Sequence, residues 1–159
     1  MTDLIGSIDR IERKIDIDAT AQRVWELIST PGWWINGGEI IEHRIEERDA
    51  HVVVHDPVHG EFVLRVEALE PPRYAAYRWF SEASAAENED PAALEAGSST
   101  LVEFWIEEQE RGGVTLRVAE SGFDGLDRTA EERRKMFDEN TEGWTIELAA
   151  ARSHLKGDR

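Results

Sequence analysis

The chain has 159 residues and a formal charge of −16, from 18 Lys and Arg against 34 Asp and Glu, and this length suits one domain with a real core. Such an acidic surface repels phosphate groups, so nucleic acids and anionic membrane surfaces are excluded as expected partners. The absence of cysteine excludes disulfides, thiol catalysis and zinc–thiolate sites, and it favours a cytoplasmic protein.

The sequence predicts neither a membrane span nor a secretory signal. No run of about 18 apolar residues occurs, and the N-terminus has no basic region followed by an apolar one. Forty per cent of the residues are hydrophobic and six are tryptophan, which argues against global disorder. We therefore expect a single folded domain that spans the whole chain, with its core at about residues 8–155.

The first predicted elements are a strand and a short helix. Residues 8–17 alternate apolar and charged side chains, which is typical of a half-buried strand. Asp18 and Thr20 are candidate capping residues for the helix that follows, and Pro31-Gly32 ends it. Trp33 and Trp34 come next, and at least one of them should be buried, because adjacent exposed tryptophans are unusual.

The middle of the chain predicts an antiparallel sheet. Its strand-like runs are separated by short turns, which favours hairpins over helical crossovers. The segment Ser81–Ser99 is small, acidic and poor in bulky apolar residues, so we expect a long mobile loop there. The predicted strands are Glu39–Glu46, His51–His55, Glu61–Leu69, Tyr74–Phe80, Thr100–Glu107 and Val114–Glu120.

The last third of the chain predicts a long amphipathic helix. Thr129 with Glu132 forms a capping-box pattern at its start. The apolar residues that follow recur at helical spacing and need a sheet to cover them. The result is an α+β domain with helices gathered on one face of an antiparallel sheet. The residues of the apolar stripe are Phe137, Trp144, Leu148, Ala151 and Leu155.

Five segments in this order resemble the helix-grip superfamily, also called SRPBCC, START-like or Bet v 1-like. They are similar in particular to its Activator of Hsp90 ATPase homologue 1-like (AHSA1-like) branch. The similar segments are ERKIDIDATAQRVWELIS, GEFVLRVEALEPPRYAAYRW, STLVEFWIEE, GVTLRVAESGF and NTEGWTIELAAARSHL. The departures are the long Ser81–Ser99 segment and the segment 35–38, where relatives often carry a Trp-Gly-Pro-like turn.

The resemblance implies a curved antiparallel sheet of about six or seven strands wrapped round the C-terminal helix, with a cavity between them. In the superfamily such cavities hold apolar or amphipathic small molecules, and a few branches use them for catalysis such as polyketide cyclisation. The namesake of the branch stimulates the Hsp90 chaperone. The resemblance implies no cofactor and no metal, and we expect a monomer or a weak homodimer.

Several residues are candidates for the walls of this cavity. Glu120 ends an otherwise apolar strand face, where it either contacts a polar group of a ligand or lies at the rim, in water or paired with Arg13 or Arg78. The predicted ligand-binding residues, most of them large and apolar, are Trp33, Trp34, Tyr77, Trp79, Val102, Phe104, Leu116, Val118, Glu120, Phe123, Trp144 and Leu148.

Two further features have open interpretations. Gly143 lies in the middle of the predicted helix, where glycine costs about 1 kcal/mol relative to alanine, so it either borders a cavity or lets a bulky strand residue approach. His55 and His59 flank a turn, and we interpret them as solvated rather than as metal ligands. No catalytic motif is present and no catalytic residue is predicted.

Three functions remain open. The first is a non-enzymatic binding protein for a hydrophobic small molecule, of the kind found in stress responses. The second is an enzyme of the cyclase or hydratase kind that uses polar groups such as Glu120 in the same cavity. The third is a protein-interaction module that acts on a chaperone or regulator. An apolar cavity favours the first, perturbed titratable residues favour the second and an exposed apolar patch favours the third.

Overall fold

A computed structural model of the chain describes residues 9–80, 99–126 and 128–156. Within these ranges it contains seven strands, two α-helices and one short 3₁₀ turn, Phe123–Gly125. The strands are β1 Arg10–Ile17, β2 Arg44–Arg48, β3 His51–Asp56, β4 Gly60–Glu70, β5 Tyr74–Phe80, β6 Ser99–Glu108 and β7 Val114–Ser121; the helices are α1 Ala21–Ile28 and α2 Ala130–Lys156.

The strands form one antiparallel sheet in the order β1-β7-β6-β5-β4-β3-β2. Neighbours in this order are neighbours along the chain, except that β1 pairs with β7. The long helix α2 packs against β1, and the short helix α1 contacts β6. This arrangement is the predicted α+β architecture of an open, curved sheet with a long C-terminal helix.

The inner face of the sheet carries the core. Because side chains alternate across a strand, the register that pairs Tyr77 with Val102 and Phe104 with Val118 puts all four on one face. These four side chains are fully buried. Helix α2 contributes its apolar stripe to the same core through Trp144, Leu148, Ala151 and Leu155. The stripe predicted from helical spacing is thus the face that contacts the sheet.

Both helices begin at predicted capping residues. Thr20 Oγ1 accepts a hydrogen bond from the backbone N–H of Arg23 at 3.2 Å. At the start of α2, the backbone N–H of Glu132 donates to Thr129 Oγ1 at 3.1 Å, and the backbone N–H of Thr129 donates to Glu132 Oε1 at 2.9 Å. This reciprocal pair satisfies two N–H groups that have no partner inside the helix.

The strand predicted at Glu39–Glu46 is wrong in its first half, since β2 begins only at Arg44. The preceding residues make contacts to other elements instead of a sheet ladder. The backbone N–H of Gly38 donates to Glu147 Oε2 on α2 at 3.1 Å. His43 Nε2 lies 2.7 Å from the carbonyl oxygen of Ile35 and 2.9 Å from Asp56 Oδ1.

Two further expectations are only partly addressed. The loop expected at Ser81–Ser99 lies outside the described residues, except for Ser99, which begins β6. Within the described part of the chain, neither helix is long and apolar enough to cross a lipid bilayer.

Candidate functional site

Three tryptophans from different elements meet between α2 and the sheet. Trp34 follows α1, Trp79 lies on β5 and Trp144 lies on α2. The ring centroids of Trp34 and Trp79 are 5.6 Å apart, and those of Trp34 and Trp144 are 5.8 Å apart. The segment after α1 therefore inserts an indole into the space that the helix and sheet enclose.

A cavity of about 220 Å³ adjoins these indoles. Its other apolar lining comes from Phe62 on β4 and Ile35, and Gly143 lies in its α2 wall. A Cβ atom built on Gly143 would meet nothing within 4 Å. The alternative that Gly143 permits close approach of a strand residue is therefore wrong. The glycine borders the cavity and leaves it wider than any other residue would.

A smaller cavity of about 90 Å³ lies beside the first. Phe62, Trp79 and Asn140 line both cavities. Glu120 and Thr100 contribute polar atoms to the smaller one. The two spaces form one region, with mostly apolar walls and a buried carboxyl group at one end.

Glu120 is almost inaccessible, with 1% of its surface exposed. Its Oε1 accepts hydrogen bonds from Trp144 Nε1 at 2.8 Å and from Asn140 Nδ2 at 3.1 Å. Its Oε2 accepts one from Thr100 Oγ1 at 2.6 Å. Burial raises the pKa of Glu120, and these hydrogen bonds lower it by less. The predicted alternative of a rim position or a pair with Arg13 or Arg78 is wrong, because β6 and α2 enclose the carboxyl.

A second carboxyl group lines the larger cavity. Glu147 lies one turn beyond Gly143 on α2 and is 7% exposed. Its Oε1 accepts from Asn36 Nδ2 at 3.2 Å, and its Oε2 accepts from the backbone N–H of Gly38. Burial raises the pKa of Glu147, and these two hydrogen bonds offset part of that effect.

A histidine borders the same cavity from the turn between β3 and β4. His59 is about half exposed, and its Nδ1 lies 2.9 Å from Asp56 Oδ2. That oxygen also accepts from the backbone N–H groups of His59 and Val58 at 2.7 and 3.0 Å. Burial raises the pKa of Asp56, but the hydrogen bonds from His59, His43 and Val58 outweigh it and hold the pKa at about 2.

The interpretation of His55 and His59 as solvated is wrong for His55 but holds for His59, whose side chain is 46% exposed. His59 is held by a buried carboxylate, and the side chain of His55 is only 14% exposed. His55 lies between Glu46 and Glu61, with nitrogen–oxygen distances of 3.3 and 2.9 Å. Strand alternation puts its side chain on the sheet face opposite to Val54, which belongs to the core.

The structure brings four of the twelve predicted site residues to the cavities, namely Trp34, Trp79, Glu120 and Trp144. The other eight line neither one, and the Trp33–Trp34 segment fills the interior in front of two of them, Phe104 and Tyr77. Trp33 packs on Phe104 with centroids 5.3 Å apart, and Trp34 packs on Tyr77 at 5.4 Å. Those eight residues, which are buried in the core, are Trp33, Tyr77, Val102, Phe104, Leu116, Val118, Phe123 and Leu148.

Sequence reasoning missed the polar lining of the 220 Å³ cavity. Helical spacing gives one available indication: Asn140, Gly143, Trp144 and Glu147 recur at intervals of three or four residues, which puts them on one helix face. Nothing in the sequence places His59, Asn36 or Phe62 opposite that face, since each comes from a distant part of the chain.

A larger groove lies at the other end of the domain. It measures about 910 Å³ and is lined by the turn after β1, the turn between β6 and β7 and the last residues of α2. Its lining contains no aromatic residue and is mostly polar or charged. The 220 Å³ cavity lined by the three indoles, although smaller than this groove, has the convergent polar groups and the apolar walls that ligand sites require.

No protein-family model matches the sequence, and no curated protein matches it. Solved structures do match. Protein MLL2253 from Mesorhizobium loti superposes with a TM-score of 0.66 at 17% identity, over 94% of this chain and 98% of that one. The Aha1 dimer from Colwellia psychrerythraea superposes with a TM-score of 0.61 at 16% identity, over 92% of this chain and 96% of that one. The Polyketide_cyc-like protein Cgl2372 from Corynebacterium glutamicum superposes with a TM-score of 0.57 at 18% identity, over 94% of this chain and 92% of that one.

These likenesses confirm the resemblance at the level of the fold. The chain has the helix-grip fold. At identities below 20%, the chemistry of the neighbours does not carry over to this chain.

Proposed function

We propose that the chain is a single-domain, AHSA1-like binding protein for a compact, mostly apolar small molecule, held in the cavity between α2 and the sheet. The observation that carries this proposal is the set of three indoles around an unfilled space, Trp34, Trp79 and Trp144. Aromatic walls with a few placed polar groups are the usual lining of small-molecule sites.

The size of the cavity restricts the ligand. At about 220 Å³ it lies below the range of roughly 300–1,000 Å³ for drug-sized ligands. One or two fused rings would fit it better than a sterol or a long fatty acid. Its position between the helix and the sheet agrees with the cavity that the helix-grip resemblance implies.

The polar atoms also restrict the ligand. The indole Nε1 atoms of Trp34 and Trp79 are buried and have no hydrogen-bond partner. A buried N–H group without an acceptor costs about 1–3 kcal/mol. A ligand with a carbonyl or ether oxygen that reaches either group would recover part of this cost, so we expect acceptor-bearing aromatics to bind more tightly than hydrocarbons of the same size.

The alternative hypothesis, a protein-interaction module that acts on a chaperone or regulator, has weaker support. The large apolar residues that are clearly exposed include Val58, Leu69 and Ile146, and they belong to a turn, a strand and a helix. The likeness to an Aha1 dimer concerns the fold, and it leaves a chaperone partner and a weak homodimer as hypotheses. Size-exclusion chromatography with light scattering over a hundredfold concentration range tests the homodimer.

The binding proposal is tested by a melting screen with bicyclic aromatics, flavonoids and fatty acids. A ligand at a hundredfold excess over its Kd stabilises the native state by about 2.7 kcal/mol, which raises the melting temperature of a domain of this size by roughly 5–10 °C. Tryptophan fluorescence should change in parallel, because three indoles surround the ligand.

The matched variants are Gly143→Leu, which places a side chain in the cavity, and Thr145→Leu, which changes an exposed position on the same helix. Hits should be lost in the first variant and retained in the second. Binding that survives Gly143→Leu, or a screen in which no compact aromatic shifts melting, contradicts the proposal.

A further inference from the structure

The polar groups at the mouth of the cavity come from two elements that face the same space. His59 is in the turn between β3 and β4, and Glu147 is on α2. Both side chains line the cavity, His59 from its solvent-exposed side and Glu147 from a buried position. Asn36, the other polar group beside them, donates from Nδ2 to Glu147, and its buried Oδ1 has no partner.

The hydrogen bonds of Asp56 fix the tautomer of His59. An ionised carboxylate only accepts hydrogen bonds, and the pKa of Asp56 is held at about 2. The Nδ1 atom of His59, 2.9 Å from Asp56 Oδ2, must therefore carry a hydrogen. In a neutral imidazole the lone pair is then on Nε2. This is the arrangement that orients a histidine as a general base.

His43 holds Asp56 from the other side. Its Nε2 faces two acceptors, Asp56 Oδ1 and the carbonyl oxygen of Ile35, so that nitrogen also carries a hydrogen. Because His43 and the backbone of the turn occupy both oxygens of Asp56, the carboxylate has little freedom to rotate. The position of the His59 ring is therefore set by a network rather than by one contact.

We propose that this cavity is a proton-transfer site for a small α-aryl ketone, in which His59 is the general base, Glu147 the general acid and Asp56 the positioning residue. The inference rests on the proposed function, because it requires a ligand in the cavity. The reaction class is keto–enol isomerisation, which needs no oxidant, reductant or second substrate.

The step balances within these groups. His59 Nε2 takes a proton from the carbon next to the carbonyl group, and the electron pair of that C–H bond forms the new carbon–carbon double bond. The carbonyl π pair moves to oxygen, which receives the proton of a neutral Glu147. The proton on His59 then returns to the Glu147 carboxylate through water at the cavity mouth, which restores both groups.

Other features of the site suit this chemistry. Burial raises the pKa of Glu147, which favours the protonated form that an acid needs. The indole N–H groups of Trp34 and Trp79, buried without acceptors, are donors that can stabilise a developing negative oxygen. The aromatic walls give the ring of the ketone an apolar surface, while the mouth beside His59 stays open to water.

The test measures deuterium incorporation at the acidic carbon of three probes, 2-tetralone, 2-indanone and phenylacetone, by mass spectrometry in D₂O. Binding of each probe is measured separately through tryptophan fluorescence. We expect the wild-type protein to accelerate exchange at least tenfold over His59→Gln. The matched control is His55→Gln, which changes a histidine on the other face of the sheet and should exchange like wild type.

Two further variants separate the roles. Glu147→Gln should bind the probes and slow exchange. Asp56→Asn should also slow it, since an amide can donate to Nδ1 and favour the wrong tautomer. The double variant Asp56→Asn with His59→Gln should be no slower than His59→Gln alone, because Asp56 acts through His59. A merely structural role for Asp56 predicts additive losses.

Failure of the proton-transfer proposal can be distinguished from failure of the binding proposal. One outcome is that the probes bind, lose their binding in Gly143→Leu, and exchange equally fast in wild type and His59→Gln. This outcome overturns proton transfer and leaves the binding function standing. If none of the three probes binds, the assignment of an α-aryl ketone as substrate is overturned. Failure of every compact aromatic in the melting screen overturns the binding function itself.

Discussion

The indole of Trp144 donates a hydrogen bond of 2.8 Å from Nε1 to Oε1 of Glu120, which links the middle of α2 to the inner face of β7. Asn140 and Thr100 donate to the same carboxyl group. One buried side chain thereby holds α2, β6 and β7 together, beside the smaller of the two cavities.

Trp144→Phe removes the indole donor and keeps an aromatic ring in the core. A buried acceptor that loses a partner costs about 1–3 kcal/mol, whereas truncation to alanine should cost about 3–5 kcal/mol. Urea denaturation measures both. Trp105→Phe on the other face is the control: its ring lies 4.5 Å from the Arg117 guanidinium, a contact worth up to about 1 kcal/mol. A Trp144→Phe variant as stable as wild type would mean that the bond contributes nothing.

Gly143→Ala should stabilise the protein and weaken ligand binding. The new Cβ atom meets nothing within 4 Å, and alanine is favoured over glycine inside a helix by about 1 kcal/mol. The same methyl group narrows the cavity. Gly113→Ala is the matched control and should destabilise the protein, because φ there is +77° and a Cβ atom would lie 2.8 Å from the Ile17 carbonyl oxygen. Chemical denaturation and ligand titration together check these opposite signs.

The stability of the protein should fall as pH rises above about 4.5, in part because of Glu120. A carboxyl group whose pKa is raised by burial binds its proton more tightly in the folded state. Its contribution is fully present below the unfolded value of about 4.5 and is lost as pH rises through the higher folded value. Glu120→Gln does not titrate, so the variant should gain stability relative to wild type between pH 5 and 8. Urea denaturation across this range measures the difference, and parallel curves would contradict it.

Thr129→Ala should lower stability by about 1 kcal/mol, the usual effect of removing a helix cap. The change deletes the acceptor of the Glu132 N–H group and keeps the reciprocal bond, which the backbone N–H of position 129 donates to Glu132 Oε1. Thr145→Ala on the exposed face of α2 is the control and should change stability by less than about 0.5 kcal/mol. Thermal melting of both variants distinguishes a cap effect from a general effect of losing threonine.

The fold was largely predictable because its signals are local. Tyr74–Phe80 is a strand with the predicted bounds, and the Thr129–Glu132 cap lies where its motif predicts. Each of these depends on residues a few positions apart. The resemblance to the helix-grip superfamily added the curved sheet of six or seven strands with a long C-terminal helix, and the structure confirms that architecture.

The site was less predictable because it depends on contacts between distant segments. Alternation correctly placed Glu120 on the inner face, but its donors Asn140 and Thr100 come from other elements. Phe104 was a predicted wall residue but lies in the core, because Trp34 packs against it with ring centroids 5.5 Å apart. No periodicity in the sequence shows that a segment between elements will fold inward.

The pairing of β1 with β7 has a consequence for synthesis of the chain. Ile15 lies opposite Leu116, so β1 leaves the ribosome roughly 100 residues before β7, its partner among the described strands. At about 5–20 residues per second, that is a delay on the order of 5–20 s. Helix α2, which also packs on β1, is made later still. We expect a nascent chain stalled before Val114 to remain protease-sensitive at β1, and one released beyond Lys156 to become resistant. Among the described strands, β1 is then the first to be made and the last to gain its neighbour in the sheet.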